Sequence, residues 1–163
     1  MDPYLAIASK RDERAYADSP VPDEVRGRIL DAGRLTGSSK NRQRWEFVVV
    51  SGAAKERLAA AVYAPENVGS AALVVAIVGE AGSFDTGRCA QNMMLGAWGE
   101  GVVSCPNGIR DADAAAEICG GEVRAILSFG YPARPRDVAS RTAEEWSARA
   151  NRKPLYELVR ETD

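Results

Sequence analysis

Two apolar runs stand out along the chain, EFVVV at 46–50 and AALVVAIVG at 71–79. The second is continuous and rich in β-branched residues, which predicts a central strand buried on both faces. The first sits inside WEFVVVSG, read as a strand, after which Ser51 can cap a helix over AAKERLAAAVY. Upstream, DPYLAIASKR predicts a first helix that ends in the charged knot KRDER. Residues 22–35, PDEVRGRILDAGRL, predict a second helix: Pro22 and two acids open it, and Val25, Ile29, Leu30 and Gly33 recur at helical spacing.

Residues 84–99, FDTGRCAQNMMLGAWG, carry Cys89, Ala90, Met93, Met94, Ala97 and Trp98 around much of a helix, which predicts a helix largely inside the protein. VVSCPNGI reads as a loop or short strand, DADAAAEI as a short helix, and EVRAILSFGYP as a strand halted by Pro132. Residues 132–150 are polar and predict a surface wrap or a partial helix, and the tail RKPLYELVRE is amphipathic enough to dock on something. The expected class is α+β, one domain over residues 1–163, with a central mixed or antiparallel sheet of three to five strands packed by helices.

Composition narrows the function classes. At 163 residues, 45% apolar and 27% charged, the chain is long enough to bury a core. A net charge of −2 gives no footprint for nucleic acid or for anionic membranes. No apolar run has transmembrane length, and MDPYLAIASKRDER is not a secretory signal, so a cytoplasmic protein is expected. Cys89, Cys105 and Cys119 are odd in number and widely spaced, poor as disulfides or as a zinc site. The chain has no histidine, which excludes Ser–His and Cys–His nucleophile pairs and His-ligated metals. An enzyme built this way is expected to leave its chemistry to a bound cofactor.

Three basic clusters occur: Lys10, Arg11 and Arg14; Arg42 and Arg44; and Arg149, Arg152 and Lys153. Each alone reads as solvated surface charge, while together they could clamp a phosphate. Neither a P-loop nor a GxGxxG fingerprint is present, so any phosphate has to be held by side chains from distant segments. The acid pairs Asp23–Glu24, Asp111–Asp113 and Glu144–Glu145 suit helix N-termini or turns, Met93–Met94 suits core filling, and Ser38 and Ser39 suit a local turn.

Five segments in order resemble the FMN-dependent nitroreductase family. They are KRDER at 10–14, the loop GSSKNRQRW at 37–45 before EFVVV, AQNMMLGAWGEG at 90–101, FGYPARP at 129–135 and RKPLYELV at 152–159. The resemblance implies an intertwined homodimer with FMN at the subunit interface. It further implies that Lys10, Arg11 and Arg14, with Arg152 and Lys153, hold the phosphate or ribityl chain, with Asp12 lying among them. Ser38, Ser39 and Asn41 would reach the flavin of the partner subunit, and the backbone of Pro106, Asn107 and Gly108 would line the ring near N5. Gln43 and Trp45 resemble supports for the loop.

By this resemblance no side chain is catalytic and no metal is needed. FMN takes a hydride from NAD(P)H and reduces a nitroaromatic, quinone or similar small acceptor by a ping-pong route. The alternatives are a flavin-binding protein with weak or no turnover, and a relative that consumes reduced flavin or dehalogenates. Three positions depart from the family's pattern. Asp12 replaces Ser, Gly37 replaces Pro, and Arg44 replaces the Pro before Trp, which implies a less stiff loop. The short stretch between Trp45 and the central helix implies a smaller or more open substrate pocket.

Overall fold

The computed structural model of the chain describes residues 2–162, and these fall into two compact units. The larger runs from Arg11 to Arg136 and contains the sheet. The smaller joins the chain up to Lys10 with the chain from Asp137 onward.

In the larger unit the four strands are β1 (Glu46–Val49), β2 (Leu73–Val78), β3 (Val103–Asn107) and β4 (Val123–Gly130). They pair antiparallel throughout in the order β1-β2-β4-β3. The continuous apolar run is β2, buried along its whole length and flanked on both sides. Its period of two divides its side chains between two cores. Val74, Ala76 and Val78 join Leu58, Val62, Val68, Ala115 and Ile126, while Leu73, Val75 and Ile77 join Ile29, Met93, Val102, Leu127 and Phe129.

Helices cover each face. The first core is closed by α3 (Gly52–Ala60), α4 (Pro65–Gly69) and α6 (Ala112–Cys119); the second by α2 (Asp23–Arg34) and α5 (Ser83–Gly99). In α5, Thr86, Cys89, Ala90, Met93, Met94, Ala97 and Trp98 are buried, and Phe84, Arg88, Gln91 and Asn92 are exposed. Helices α2 and α5 approach closely: a Cβ on Gly96 would lie 2.9 Å from the Ala32 Cβ. At Gly79 the chain turns at φ +126°, and a Cβ there would lie 2.7 Å from the Arg44 carbonyl oxygen. Glycine meets both demands, the positive φ and the missing Cβ.

In the smaller unit, α1 (Pro3–Ser9) packs against α7 (Ala143–Arg149). Asp2 caps α1 by accepting from Leu5 N at 3.0 Å, and Thr142 with Glu145 forms a capping box on α7. The polar stretch 132–150 is thus a partial helix. Trp146 donates its indole N–H to the Val138 carbonyl at 3.0 Å and carries the Arg141 guanidinium 5.1 Å from its ring centroid. The tail forms a 3₁₀ turn at Leu155–Glu157, with Leu155, Tyr156, Leu158 and Val159 all exposed. Among the described residues, no helix is long and apolar enough to cross a membrane.

Candidate functional site

The strip Arg11–Arg14 runs along the outer edge of β3. Asp12 bridges Ser104 in parallel, and Glu13 N donates to Ser104 O at 3.0 Å. Further on, Ala17 N donates to Tyr131 O at 2.8 Å and Ala133 N to Ala15 O at 3.0 Å, so the strip leaves β3 for the end of β4. Glu13 binds Arg136 at 2.8 Å. The Arg14 guanidinium is open to solvent, and its hydrogen bond to the Cys105 sulfur, with Asp12 adding to the effect, keeps it firmly charged. The strip thus presents Arg14, and Arg11 beside it, next to the segment that carries Pro106, Asn107 and Gly108.

Beneath this edge lies a polar network. Ser128 Oγ donates to Cys105 O at 3.2 Å and accepts from Asn107 Nδ2 at 3.0 Å, with the Tyr16 hydroxyl 2.9 Å away. Either hydroxyl can donate in the Tyr16–Ser128 contact. Burial pushes the Tyr16 phenol up to about 12. Asn107 therefore turns its amide into the protein, where Nδ2 is also 3.1 Å from Cys105 O, and leaves its backbone at the edge between the exposed Pro106 and Gly108. Among the described residues, Asn107 Oδ1 and Ser104 Oγ are buried without a partner, which is unusual for buried polar atoms and marks this part of β3 as incompletely satisfied.

The polar loop between α2 and β1 has an uncommon backbone. Lys40, Asn41 and Gln43 take φ values of 53°, 53° and 48°, a left-handed region costly for side chains other than glycine. Local bonds hold its shape: Gln43 N donates to Ser38 Oγ at 2.9 Å, and Gln43 Nε2 to Asn41 Oδ1 at 3.1 Å. Trp45 packs against the α2/α5 core. Ser39 and Asn41 are exposed and Ser38 is half-buried; Ser38 and Ser39 line a cleft of about 180 Å³ between the loop and the start of α5.

The expected site residues thus fall into three places. Arg11, Asp12 and Arg14 lie with Pro106, Asn107 and Gly108 at the β3 edge. Ser38, Ser39 and Asn41 lead into β1, the opposite edge of the same sheet, with two strands between. At strand spacing β1 and β3 lie roughly 14 Å apart. Lys10, half-buried at the end of α1, and the exposed Arg152 and Lys153 belong to the smaller unit, whose boundary passes between Lys10 and Arg11.

Sequence reasoning missed Tyr16, Ser128 and Cys105, the supports beneath the β3 edge. It also missed Asp85 and Arg88, which meet the polar loop from α5: Ser39 N donates to Asp85 Oδ2 at 3.0 Å. Asp85 and Arg88 stand at the opening of a helix, where their residue types are unremarkable, and only the fold reveals the contact.

A family model described as Nitroreductase family matches residues 7–82 and 79–131. The chain is 40% identical over 55 residues to a chloronitrobenzene nitroreductase of Comamonas testosteroni, a match covering 34% of this chain and 24% of that protein. The matched segment thus spans only that minor share of the relative's length. A protein of Desulfovibrio desulfuricans solved in complex with FMN superposes with a TM-score of 0.80 at 24% identity, covering 100% of this chain and 98% of that one. The NADPH:FMN oxidoreductase of Vibrio harveyi, solved with NAD+, gives a TM-score of 0.80 at 23% identity, covering 97% and 76%. At these identities the structural likenesses establish the fold.

Proposed function

The chain belongs to the nitroreductase family, and we propose that it is an FMN-dependent oxidoreductase that uses NAD(P)H to reduce a nitroaromatic, quinone or related small acceptor. The residues present fit that cofactor. Arginine supplies a planar fork of donors and lysine a compact cationic point charge for a phosphate dianion, and Arg14 offers its guanidinium to solvent. Ser38 Oγ accepts from Gln43 N, which leaves its own proton for a ligand acceptor. FMN, when bound, accepts and returns a hydride itself, which is why a chain without histidine can serve.

The protein's part is to hold and orient. Lys10, Arg11 and Arg14, with Arg152 and Lys153, would take the phosphate and ribityl chain, with Asp12 lying among them. The backbone of Pro106, Asn107 and Gly108 would lie along the ring, supported from below by the Tyr16–Ser128–Asn107 network. Ser38, Ser39 and Asn41 would complete the site from a second copy of the chain.

The observation that carries this reading is the placement of the two groups on opposite edges of one sheet. Two copies related by a two-fold axis can set the β1-edge loop of one against the β3 edge of the other, so a homodimer with two equivalent sites satisfies the arrangement. The visible spectrum of the purified protein, with light scattering for its mass, tests it. A yellow dimer that releases FMN, bleaches with NAD(P)H under anaerobic conditions and reoxidises with a nitroaromatic is expected. A monomer that stays colourless after incubation with FMN would overturn the reading. Bleaching without reoxidation by any acceptor would instead support a flavin-binding protein with weak turnover.

A further inference from the structure

We propose that Asp85 is the positioning residue that sets the Ser38–Gln43 loop, and with it the wall that the FMN reading assigns to Ser38, Ser39 and Asn41; the second half of this inference rests on that reading. The loop contains three left-handed residues that are not glycine, a conformation that persists only where its surroundings over-determine it. The bonds from Gln43 to Ser38 and Asn41 shape the loop internally but do not fasten it to the body. Among the described residues, the side-chain hydrogen bond that joins the interior of the loop to another element is the one from Ser39 N to Asp85 Oδ2, 46 residues apart in sequence. It is charge-assisted, and the Asp85 side chain is only 17% exposed.

Asp85 is itself well placed to hold still. It sits in the first turn of the 17-residue α5, where the helix N-terminus favours an anion. Arg88, one turn on, reaches Asp85 Oδ1 at 4.0 Å. Its guanidinium lies 5.5 Å from the Phe84 ring centroid and against Gly37, where a Cβ would come 3.1 Å from Nη2. Arg88 and Asp85 thus meet the backbone at two nearby positions, Gly37 and Ser39. Arg44 and Glu80, at 3.5 Å with both side chains at least half exposed, add a weaker tie at the far end.

Two substitutions separate the tie from the helix cap. In Asp85→Asn the side-chain oxygen still reaches Ser39 N. In Asp85→Ser an oxygen remains for the α5 N-terminus but falls short of the loop. The readouts are the exchange rate of the Ser39 amide, followed by NMR, and the FMN dissociation constant from flavin fluorescence. In Asp85→Ser the Ser39 amide is expected to exchange about tenfold faster or more, and FMN to bind about tenfold more weakly, the scale of one charge-assisted hydrogen bond. Asp85→Asn should stay within about threefold of the parent in both measurements.

Unchanged Ser39 exchange in Asp85→Ser overturns the inference whatever the cofactor does. Faster exchange with unchanged FMN affinity overturns the loop's role as a ligand wall and leaves Asp85 a loop anchor only. A parent protein that takes up no FMN would sink the FMN reading, while the exchange arm still decides whether Asp85 sets the loop. If Asp85→Ser fails to fold, the parent protein decides: a Ser39 amide that exchanges at least about tenfold more slowly than an unprotected amide supports the tie, and exchange at the unprotected rate refutes it.

Discussion

Replacing Tyr16 by Phe should change how stability depends on alkaline pH. The Tyr16 ring fills the space over Gly130, where a Cβ would come 2.8 Å from its Cδ1, and its hydroxyl lies 2.9 Å from Ser128 Oγ. Tyr16→Phe keeps the ring, and Ser128 Oγ keeps its bonds to Asn107 and Cys105, so at neutral pH the loss is one hydrogen bond, about 1 kcal/mol. Above neutrality a second effect enters. The phenol, ordinarily ionising at 10.0, is pushed up to about 12 in the folded protein, chiefly by burial. Below pH 10 both folded and unfolded chains hold the proton, and the native state keeps its full advantage. Between 10 and 12 the unfolded chain releases the proton while the folded chain retains it, so stability falls through this window. The shift alone corresponds to about 2.7 kcal/mol. Tyr16 is partly exposed, and solvent screening reduces the expected loss to roughly 1–2 kcal/mol. Urea unfolding of parent and Tyr16→Phe at a series of pH values isolates this contribution, because other groups, including the buried Cys89 thiol at about 11, cancel in the difference. The parent's advantage of about 1 kcal/mol should hold to about pH 9 and vanish or reverse by about pH 12. A difference that stays constant across the range would refute the burial argument.

Gly79→Ala should cost about 2–4 kcal/mol, since it combines φ +126° with a Cβ 2.7 Å from a backbone oxygen that cannot rotate away; a thermal midpoint within a degree or so of the parent would contradict it. Gly96→Ala gains helix propensity but forces α2 from α5 through the Ala32 Cβ, for a net loss of about 1–2 kcal/mol. In an Ala32→Gly background that loss should disappear, and a double-mutant cycle showing no coupling would exclude the contact as its cause. The three thiols, all buried and with Cys89 pushed up to about 11, should resist a disulfide reagent in the native protein and react together in denaturant; rapid native labelling of any one would show that its strand or helix opens.

The legible parts of the fold were those in which burial imposed a period. β2 is apolar at every position because it is covered on both faces, and α2 exposes its register through Ile29 and Gly33. β3 was ambiguous between loop and strand because VSCPN carries Ser, Pro and Asn; as an edge strand it tolerates Pro106, and its Asn107 side chain turns into the Ser128 network. The five-residue α4 offers too few positions to show a period and went unread. The site was legible as a set of residue types, cations and hydroxyls in five segments, but not as an arrangement. Opposite placement of Ser39 and Arg14 depends on strand order, which no single segment encodes.

The polar loop shows how tertiary contacts can take over from local stiffening. Gly37 and Arg44 replace the prolines expected of the family, and a proline would narrow the unfolded chain's freedom without help from any other element. Here each position is instead engaged across space. Arg88 lies against Gly37, while the Arg44 carbonyl fills the space that Gly79 leaves empty. Asp85 takes the Ser39 amide between them. These contacts act only in the folded state, so they add no bias to the unfolded chain, and those made by Asp85 and Arg88 fail together if the start of α5 moves. Order in the loop is therefore coupled to the first turns of α5 in a way a proline-stiffened loop would not be. Restoring rigidity locally by Gly37→Pro, at a position outside the left-handed region where a Cβ would meet only the end of the Arg88 side chain, should make Ser39 exchange less sensitive to Asp85→Ser. If the sensitivity were undiminished, loop order would rest on the hydrogen bond itself rather than on the number of constraints.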